Sequence, residues 1–199
     1  DESEAYATLA LLNEAPLVAD LPAAQLYADP RHPAMGQRLL VPRDWLPDAK
    51  ARLLAAGYSE ATEATYTEHR LRHGVPDGAT DLPEGRAIPL EYNFDLLNAI
   101  SWTKGCYVGQ ELTARTRYRG LLRKRLFAIS GPAPLPPPGT AIMKNGQEAG
   151  ELRASAGHVG LAILRLEHLA TEEGLTADGK PLTLHWPTGL NRTDIGAAS

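Results

Sequence analysis

Apolar and polar residues alternate with two different periods along this chain, and the period changes near residue 120. Before that point, apolar residues at helical spacing predict one helix within each of residues 3–14, 42–58 and 59–76. Asp44 is the expected N-cap of the second helix, and Gly57 is expected to end it. Ser59 or Thr62 is expected to cap the third helix.

Extended segments lie between and after these helices. Residues 26–42, LYADPRHPAMGQRLLVP, have two apolar pieces around an Asp-Pro break and a glycine, which predicts two strands joined by a loop. Residues 88–105 predict an extended lead-in followed by a short helix. The part before residue 120 is therefore α+β.

After residue 120 the apolar runs become short and strand-like, and turn residues separate them. Asn145-Gly146 lies between two such runs and predicts a hairpin, because a type I′ turn needs positive φ at both central residues. Frequent short strands are typical of a small barrel or sandwich. We therefore expect an α+β domain over residues 1–120 and an all-β domain over residues 121–199.

Composition narrows the class of protein. The 199 residues are 43% apolar, as in a folded chain, and the net charge of −4 gives no general attraction for nucleic acid or anionic membranes. No apolar run approaches the roughly 20 residues that span a bilayer, and the N-terminus lacks signal-peptide features. We expect an intracellular, soluble protein. Because the chain begins without methionine, it reads as a processed product or a fragment.

Cys106 is the single cysteine of the chain, so it forms no internal disulfide, which fits a reducing compartment. One interpretation is a small buried hydrophobic residue. The other is a reactive or ligating thiol. The second is favoured by Gly105 and Gly109, which permit close backbone approach, and by the cation of Lys104 nearby. A helix starting at Cys106 would also favour the thiolate.

A permanent metal site at Cys106 is disfavoured, because zinc or an iron-sulfur cluster takes about four ligands and one thiol cannot supply them. No histidine near it in sequence could act as its base, although a distant one could fold in. His69 and His73 have the i, i+4 spacing of metal ligands, but Arg70 and Arg72 beside them would repel a cation. We expect no metal site of this chain's own.

Two further features have an ordinary interpretation and a functional one. The basic run over residues 115–125 is either a solvated edge or an anion site. With an acidic chain and only Tyr118 and Phe127 available for stacking, it is a poor nucleic-acid surface. Glu91 follows an apolar segment, and its carboxylate either caps the next helix or accepts two N–H groups of a heterocycle.

The stretch KGCYVGQELTART followed by RYRGLLRKRLF resembles the signature of the YgfZ-type folate-binding proteins, relatives of the aminomethyltransferase T-protein of glycine cleavage. The stretches ADPRHPAMGQRLLVP, EHRLRHGVPDG and IPLEYNFDLLNAISWTKG agree with this family in the same order. Together they cover residues 25–130. The branch most similar to this chain is that of the mitochondrial iron-sulfur assembly factor and its bacterial counterparts.

The resemblance implies the C-terminal part of a T-protein-like tetrahydrofolate-binding domain, followed by a small antiparallel β-barrel. It implies a non-enzymatic factor that binds tetrahydrofolate or a derivative and helps to mature four-iron-four-sulfur enzymes. Iron-sulfur carriers and client enzymes are the implied partners, with no nucleic acid or membrane, and a cluster would be shared only transiently. A bacterial cytoplasm is the first expectation for its location, and a mitochondrial matrix is the alternative.

The resemblance also implies roles for single residues. The motif cysteine, which is the functional residue of the family, maps onto Cys106. The implied cofactor-binding residues are Glu91, Arg70, Lys104, Gly105, Tyr107, Gly109, Gln110 and Glu111. The family's folate domain begins well before this chain does, and the aspartate used by the aminomethyltransferases lies in that earlier portion.

Two other functions remain open on the sequence. One is a folate-dependent one-carbon transferase or demethylase, which would be indifferent to Cys106→Ser. The other is a binding module in which the β-rich part docks a larger assembly and the thiol is inert. The cysteine motif favours the assembly factor, because the transferases do not need this thiol.

Overall fold

The computed structural model describes residues 1–12, 20–118 and 122–190, with the backbone alone at Leu112, Thr116 and Tyr118. The chain forms two compact units, Asp1–Tyr66 and Thr67–Ser199. The predicted domain boundary at residue 120 falls outside the described residues and stays a prediction. The mixture of helices and sheets confirms the α+β class.

The first unit is built on a three-stranded antiparallel sheet in the order β1-β3-β2. Its strands are β1 Tyr6–Leu11, β2 Gln25–Ala28 and β3 Gln37–Pro42. Alternate residues of β3, Leu39 and Val41, are fully buried in a cluster with Leu11, Ala49 and Leu53. The two strands predicted around the Asp-Pro break are confirmed as β2 and β3.

The helix predicted over residues 3–14 is wrong where the structure describes it. A short 3-10 turn, Ser3–Ala5, leads directly into β1, which pairs with β3 along its whole length. Leu9 and Leu11 face the core from alternate positions, so the apolar residues follow a strand period. Pairing with the central strand overrides the local helical pattern, and residues 13 and 14 lie outside the described part.

The next two predicted helices are confirmed, as α1 Leu46–Ala55 and α2 Glu63–Arg72. Gly57 follows α1 with φ of 91°, a conformation that favours glycine. The hydroxyl of Thr62 caps α2 by accepting from the Thr65 N–H at 3.1 Å. Asp44 is not a cap: it lies inside a 3-10 turn that runs straight into α1.

The short helix predicted within residues 88–105 does not form, and consecutive turns take its place. The turns are anchored to a barrel strand: the Asn93 side chain donates to the Leu126 carbonyl at 2.7 Å, and the Leu126 N–H donates to the Glu91 carbonyl at 2.7 Å. Asn93 adopts φ of 60°, which an α-helix does not allow. The helix α3, Gln110–Tyr118, comes later.

The second unit ends in an antiparallel sheet of order β10-β4-β7-β6-β5-β8-β9. Its strands are β4 Lys124–Ser130, β5 Ala141–Lys144, β6 Gln147–Ala156, β7 Val159–Arg165, β8 Leu175–Ala177, β9 Lys180–Pro181 and β10 Thr183–His185. Only Leu182 separates β9 from β10, and its N–H donates to the Leu175 carbonyl at 2.9 Å. Because β9 and β10 are the two ends of the sheet order, the sheet nearly closes into the predicted barrel.

The barrel is filled by apolar side chains from its inward positions, among them Phe127, Ile142 and Leu164. The predicted hairpin is confirmed, since Asn145 and Gly146 join β5 to β6 with φ of 51° and 78°. Among the described residues, no helix is both long and apolar enough to cross a membrane.

Candidate functional site

Cys106 lies exposed to solvent in the loop that precedes α3. The interpretation of this thiol as a small buried hydrophobic residue is therefore wrong. Its neighbours Tyr107 and Val108 are also exposed, at 39% and 103%. We call residues 101–109 the cysteine loop. Its tip presents one thiol beside two apolar side chains.

The cysteine loop is closed onto the first turn of α3 by reciprocal hydrogen bonds. The Tyr107 N–H donates to the side-chain oxygen of Gln110 at 3.2 Å, and the Gln110 N–H donates to the Tyr107 carbonyl at 3.3 Å. Gly109 makes the turn possible with φ of 86°. The motif residues Gly109 and Gln110 thus fix the backbone immediately after the thiol.

Two cation–π contacts, one of them to α3, also stabilise the cysteine loop. The Arg117 guanidinium of α3 lies 3.8 Å from the centre of the Trp102 ring, and the Lys104 ammonium lies 4.4 Å from the centre of the Tyr107 ring. The helix predicted to start at Cys106 instead starts at Gln110. The positive φ of Gly109 interrupts the helical backbone, so Cys106 stands outside the helix.

Glu91 lies half-buried at the turn that is bonded to β4. Burial raises the pKa of its carboxyl, and the charge of Lys124 partly offsets this effect. In the described part of the chain, no donor hydrogen-bonds to this carboxylate, and no helix follows that it could cap. The capping interpretation is therefore wrong, and the carboxylate is available to an N–H donor from a ligand.

Arg70 is buried, with 6% of its surface exposed. Its guanidinium donates to the Asp81 carboxylate at 2.5 Å and to the Val75 carbonyl at 3.2 Å. Asp81 also accepts from the Asp77 N–H at 2.8 Å and from the Thr80 hydroxyl. Arg70 therefore ties the end of α2 to the loop that follows it.

Two arginines of the basic run over residues 115–125 pair with different carboxylates. Arg115 pairs with Glu111 one turn earlier in α3. Arg125 is buried, and its guanidinium pairs with the Asp95 carboxylate at 2.8 Å. The charge of Arg125 is therefore neutralised within the second unit. Arg119 lies outside the described residues. Two cations of the run therefore have carboxylate partners of their own, and the anion-site interpretation stays a prediction.

His69 and His73, the pair with the spacing of metal ligands, lie next to each other at the end of α2. The His69 and His73 rings pack edge to face, with centroids 4.7 Å apart. Over the ranges that the structure describes, no group of three or more histidine, cysteine, aspartate or glutamate residues is placed to hold a metal ion.

Sequence reasoning missed a charged cluster in the first unit. Asp29, taken only as part of a loop break, is buried and binds Arg31 and Arg38. Burial raises the pKa of the Asp29 carboxyl, but hydrogen bonds from Arg31 and Arg38 outweigh it and lower the pKa to about 2. The sequence Asp29-Pro30-Arg31 could have predicted part of this cluster. An aspartate in such a turn accepts a hydrogen bond from the N–H two residues later, and here the Arg31 N–H donates to Asp29 Oδ1 at 3.0 Å.

Comparison with known proteins matches both parts of the chain. Residues 123–191 match the family described as CAF17, C-terminal beta-barrel domain. The chain is 41% identical over 184 residues to the mitochondrial iron-sulfur cluster assembly factor IBA57 of Mus musculus, covering 82% of this chain and 48% of that protein. The human protein of the same name is 42% identical over 178 residues, covering 83% and 48%. The chain spans about half the length of these curated relatives.

Among solved structures, the chain is similar to the glycine cleavage system aminomethyltransferase T from Bartonella henselae. The TM-score is 0.59 at 15% identity, over 76% of this chain and 45% of that one. At this identity the similarity shows the fold, which is that of the T-proteins.

Proposed function

This chain is a homologue of the IBA57 iron-sulfur cluster assembly factors over the half of their length that it spans, and we propose that it assists iron-sulfur cluster assembly or repair through Cys106. The observation that carries the proposal is the exposed thiol on a loop held at both ends. An exposed thiol can reach a partner's cluster, whereas a buried one cannot. The cargo is a cluster that another protein brings or receives.

We propose that the cluster is shared with a partner and is not stored by this protein. A cluster needs about four protein ligands, and the described residues place no histidine, cysteine, aspartate or glutamate group around a common metal position. In this proposal the remaining ligands come from the partner or from a small thiol. Cys106 would therefore act during transfer, when the partner is bound.

We further propose that the protein binds tetrahydrofolate or a derivative with Glu91. A pterin ring presents two adjacent N–H donors, and a half-buried carboxylate without a hydrogen-bond donor among the described residues fits them. The Arg70 guanidinium is held by Asp81 and Val75, so in this proposal it supports the fold, and its implied contact with folate stays a prediction. The motif residues Gln110 and Gly109 act by shaping the cysteine loop.

The proposed clients are four-iron-four-sulfur enzymes, and the proposed partners are the carriers that deliver their clusters. The relatives' names place those proteins in mitochondria, which favours a mitochondrial matrix over the bacterial cytoplasm that we expected first. The T-protein fold alone does not favour one-carbon transfer, because the structural relative is too distant in sequence for its activity to be carried over.

Complementation tests the role of the thiol. Cells lacking the gene receive the full-length protein as wild type, as Cys106→Ser, or as Thr103→Ser, an equally small change in the same exposed loop. Aconitase activity reports four-iron-four-sulfur maturation, and a two-iron-two-sulfur enzyme serves as the reference. We expect Cys106→Ser to lose aconitase activity selectively and Thr103→Ser to retain it. Full rescue by Cys106→Ser would overturn the proposal and favour a one-carbon transferase.

Folate titration tests the role of Glu91 separately. Removing one charged hydrogen-bond partner costs about 1.5 to 3 kcal/mol, so Glu91→Gln should weaken tetrahydrofolate binding by about tenfold or more. Glu84→Gln, at an exposed position of the same segment, should leave the affinity unchanged. Equal affinities for the wild type and Glu91→Gln would remove Glu91 from the site.

A further inference from the structure

A cluster of four polar side chains joins three elements of the first unit. Asp29 follows β2, Arg31 lies two residues later, Arg38 belongs to β3, and Tyr66 belongs to α2. The Asp29 carboxylate accepts from Arg31 Nη2 at 2.7 Å and from Arg38 Nε at 2.9 Å. Both guanidiniums also donate to the Tyr66 hydroxyl, at 3.0 Å and 2.5 Å. We call these residues the Asp29 cluster.

The Asp29 cluster has a net charge of about +1, because it contains two arginines and one aspartate. Two guanidiniums face a single carboxylate whose side chain is 1% exposed. Within the described residues, no second acidic side chain pairs with either arginine. The side chains of Arg31 and Arg38 are 30% and 22% exposed, so the surplus charge is accessible from solvent.

The Asp29 cluster also contains hydrogen-bond donors that have no acceptor among the described residues. The Tyr66 oxygen accepts from both arginines, so its own proton must point away from them. Arg31 uses Nε and Nη2, and so does Arg38, which leaves Nη1 of each guanidinium without an acceptor in the described ranges. Asp29 fixes both side chains from the buried side. Donors that are held in place before a ligand arrives lose less entropy when it binds.

We propose that Arg31, Arg38 and Tyr66 bind an oxyanion, a carboxylate or a phosphate group of a small ligand. Guanidiniums present paired N–H donors that match the oxygens of these groups, and a phenol adds a further donor. Asp29 is a positioning residue, because it orients the arginines without touching the ligand. This site does not depend on the proposed role of Cys106.

Titration followed by nitrogen-15 NMR tests the proposal on the purified protein. Inorganic phosphate and glutarate are the two probes, and chloride at matched ionic strength corrects for screening. We expect the Arg31 and Arg38 side-chain Nε signals to shift and to saturate with at least one probe. Preference for phosphate or for glutarate identifies the source of the oxyanion. Shifts that chloride reproduces, or that never saturate, would overturn the site.

Variants separate binding from structural support. Tyr66→Phe keeps the ring and removes the outward proton, so it should weaken binding of the probe by about tenfold. Asp29→Asn keeps the shape of the side chain but loses the charge that orients both guanidiniums, so it should also weaken binding of the probe, although the net positive charge of the cluster rises. Arg52→Gln removes a charge from an exposed arginine elsewhere in the same unit and should leave binding unchanged. If Tyr66→Phe bound the probe with unchanged affinity, the cluster would have a structural role only, and the proposed oxyanion site would be refuted.

Discussion

Replacing Arg70 tests whether this residue supports the fold or binds folate, as the family resemblance implies. The side chains of Arg70 and Asp81 are 7% and 4% exposed, so the pair is shielded from water. In Arg70→Met, the methionine fills much of the volume, but Asp81 keeps only its neutral donors and the buried Val75 carbonyl loses a donor.

The expected loss of stability follows from these contacts. Removing one partner of a buried ion pair typically costs about 3 to 5 kcal/mol. The two remaining donors to Asp81 place the value at the lower end, and the orphaned carbonyl adds about 1 kcal/mol. We expect Arg70→Met to destabilise the protein by about 3 to 4 kcal/mol. With a urea slope near 2 kcal/mol/M, the midpoint should fall by about 1.5 to 2 M.

The matched control is Arg72→Met on the same helix. Arg72 is 55% exposed and pairs with Glu68 one turn earlier, so its loss should cost about 0.5 kcal/mol or less. Urea unfolding followed by circular dichroism measures both variants, and folate titration runs in parallel. Similar midpoints for Arg70→Met and Arg72→Met would refute the structural assignment. Lost folate affinity at unchanged stability would restore Arg70 as a ligand-binding residue.

Three further predictions concern stability and are measured by urea unfolding. The folded Asp29 carboxyl has a pKa of about 2 against 3.8 unfolded, so it contributes about 2 kcal/mol that is present above about pH 4 and lost as the pH falls towards 2. Asp29→Asn should lack that part of the acid slope, and identical slopes would contradict the assignment. A Cβ on Gly150 would lie 2.0 Å from the Ile163 carbonyl oxygen, so Gly150→Ala should cost about 3 kcal/mol, whereas Gly78→Ala meets no atom within 4 Å and should be tolerated. The ammonium of Lys144 donates to the carbonyls of His168 and Thr171 in the segment after β7, so Lys144→Met should cost about 2 kcal/mol. A neutral result would show that those carbonyls reach water instead.

The sequence predicted secondary structure correctly where the residues that determine an element all lie within that element or next to it. The helices α1 and α2 formed because their periodic apolar residues, the Thr62 cap and Gly57 lie within the segment itself. The hairpin at Asn145-Gly146 formed for the same reason, since few other residue pairs accept positive φ twice in succession. The cysteine motif was also readable locally, because its two glycines and Gln110 shape their own loop.

Tertiary contacts decided the remaining features. The sequence of β1 has a pattern that is compatible with a helix. Its extended form is stabilised by antiparallel pairing with β3, which is distant in the sequence. The turns around Asn93 replaced a helix because the barrel offered the backbone groups of Leu126 as partners. Sequence spacing also could not show that Tyr66 would meet Arg31 across 35 positions.

The sequence by itself determined the barrel-forming strands, two helices, and an isolated thiol in a glycine-flanked loop. Only the tertiary structure decided that this thiol is exposed, that Arg70 is buried against Asp81, and that the charges of the basic run are divided among separate partners. The physical reason is the range of the interactions. Capping and turn preferences act within a few residues, whereas burial and ion pairing depend on segments that are distant in the chain and close in space.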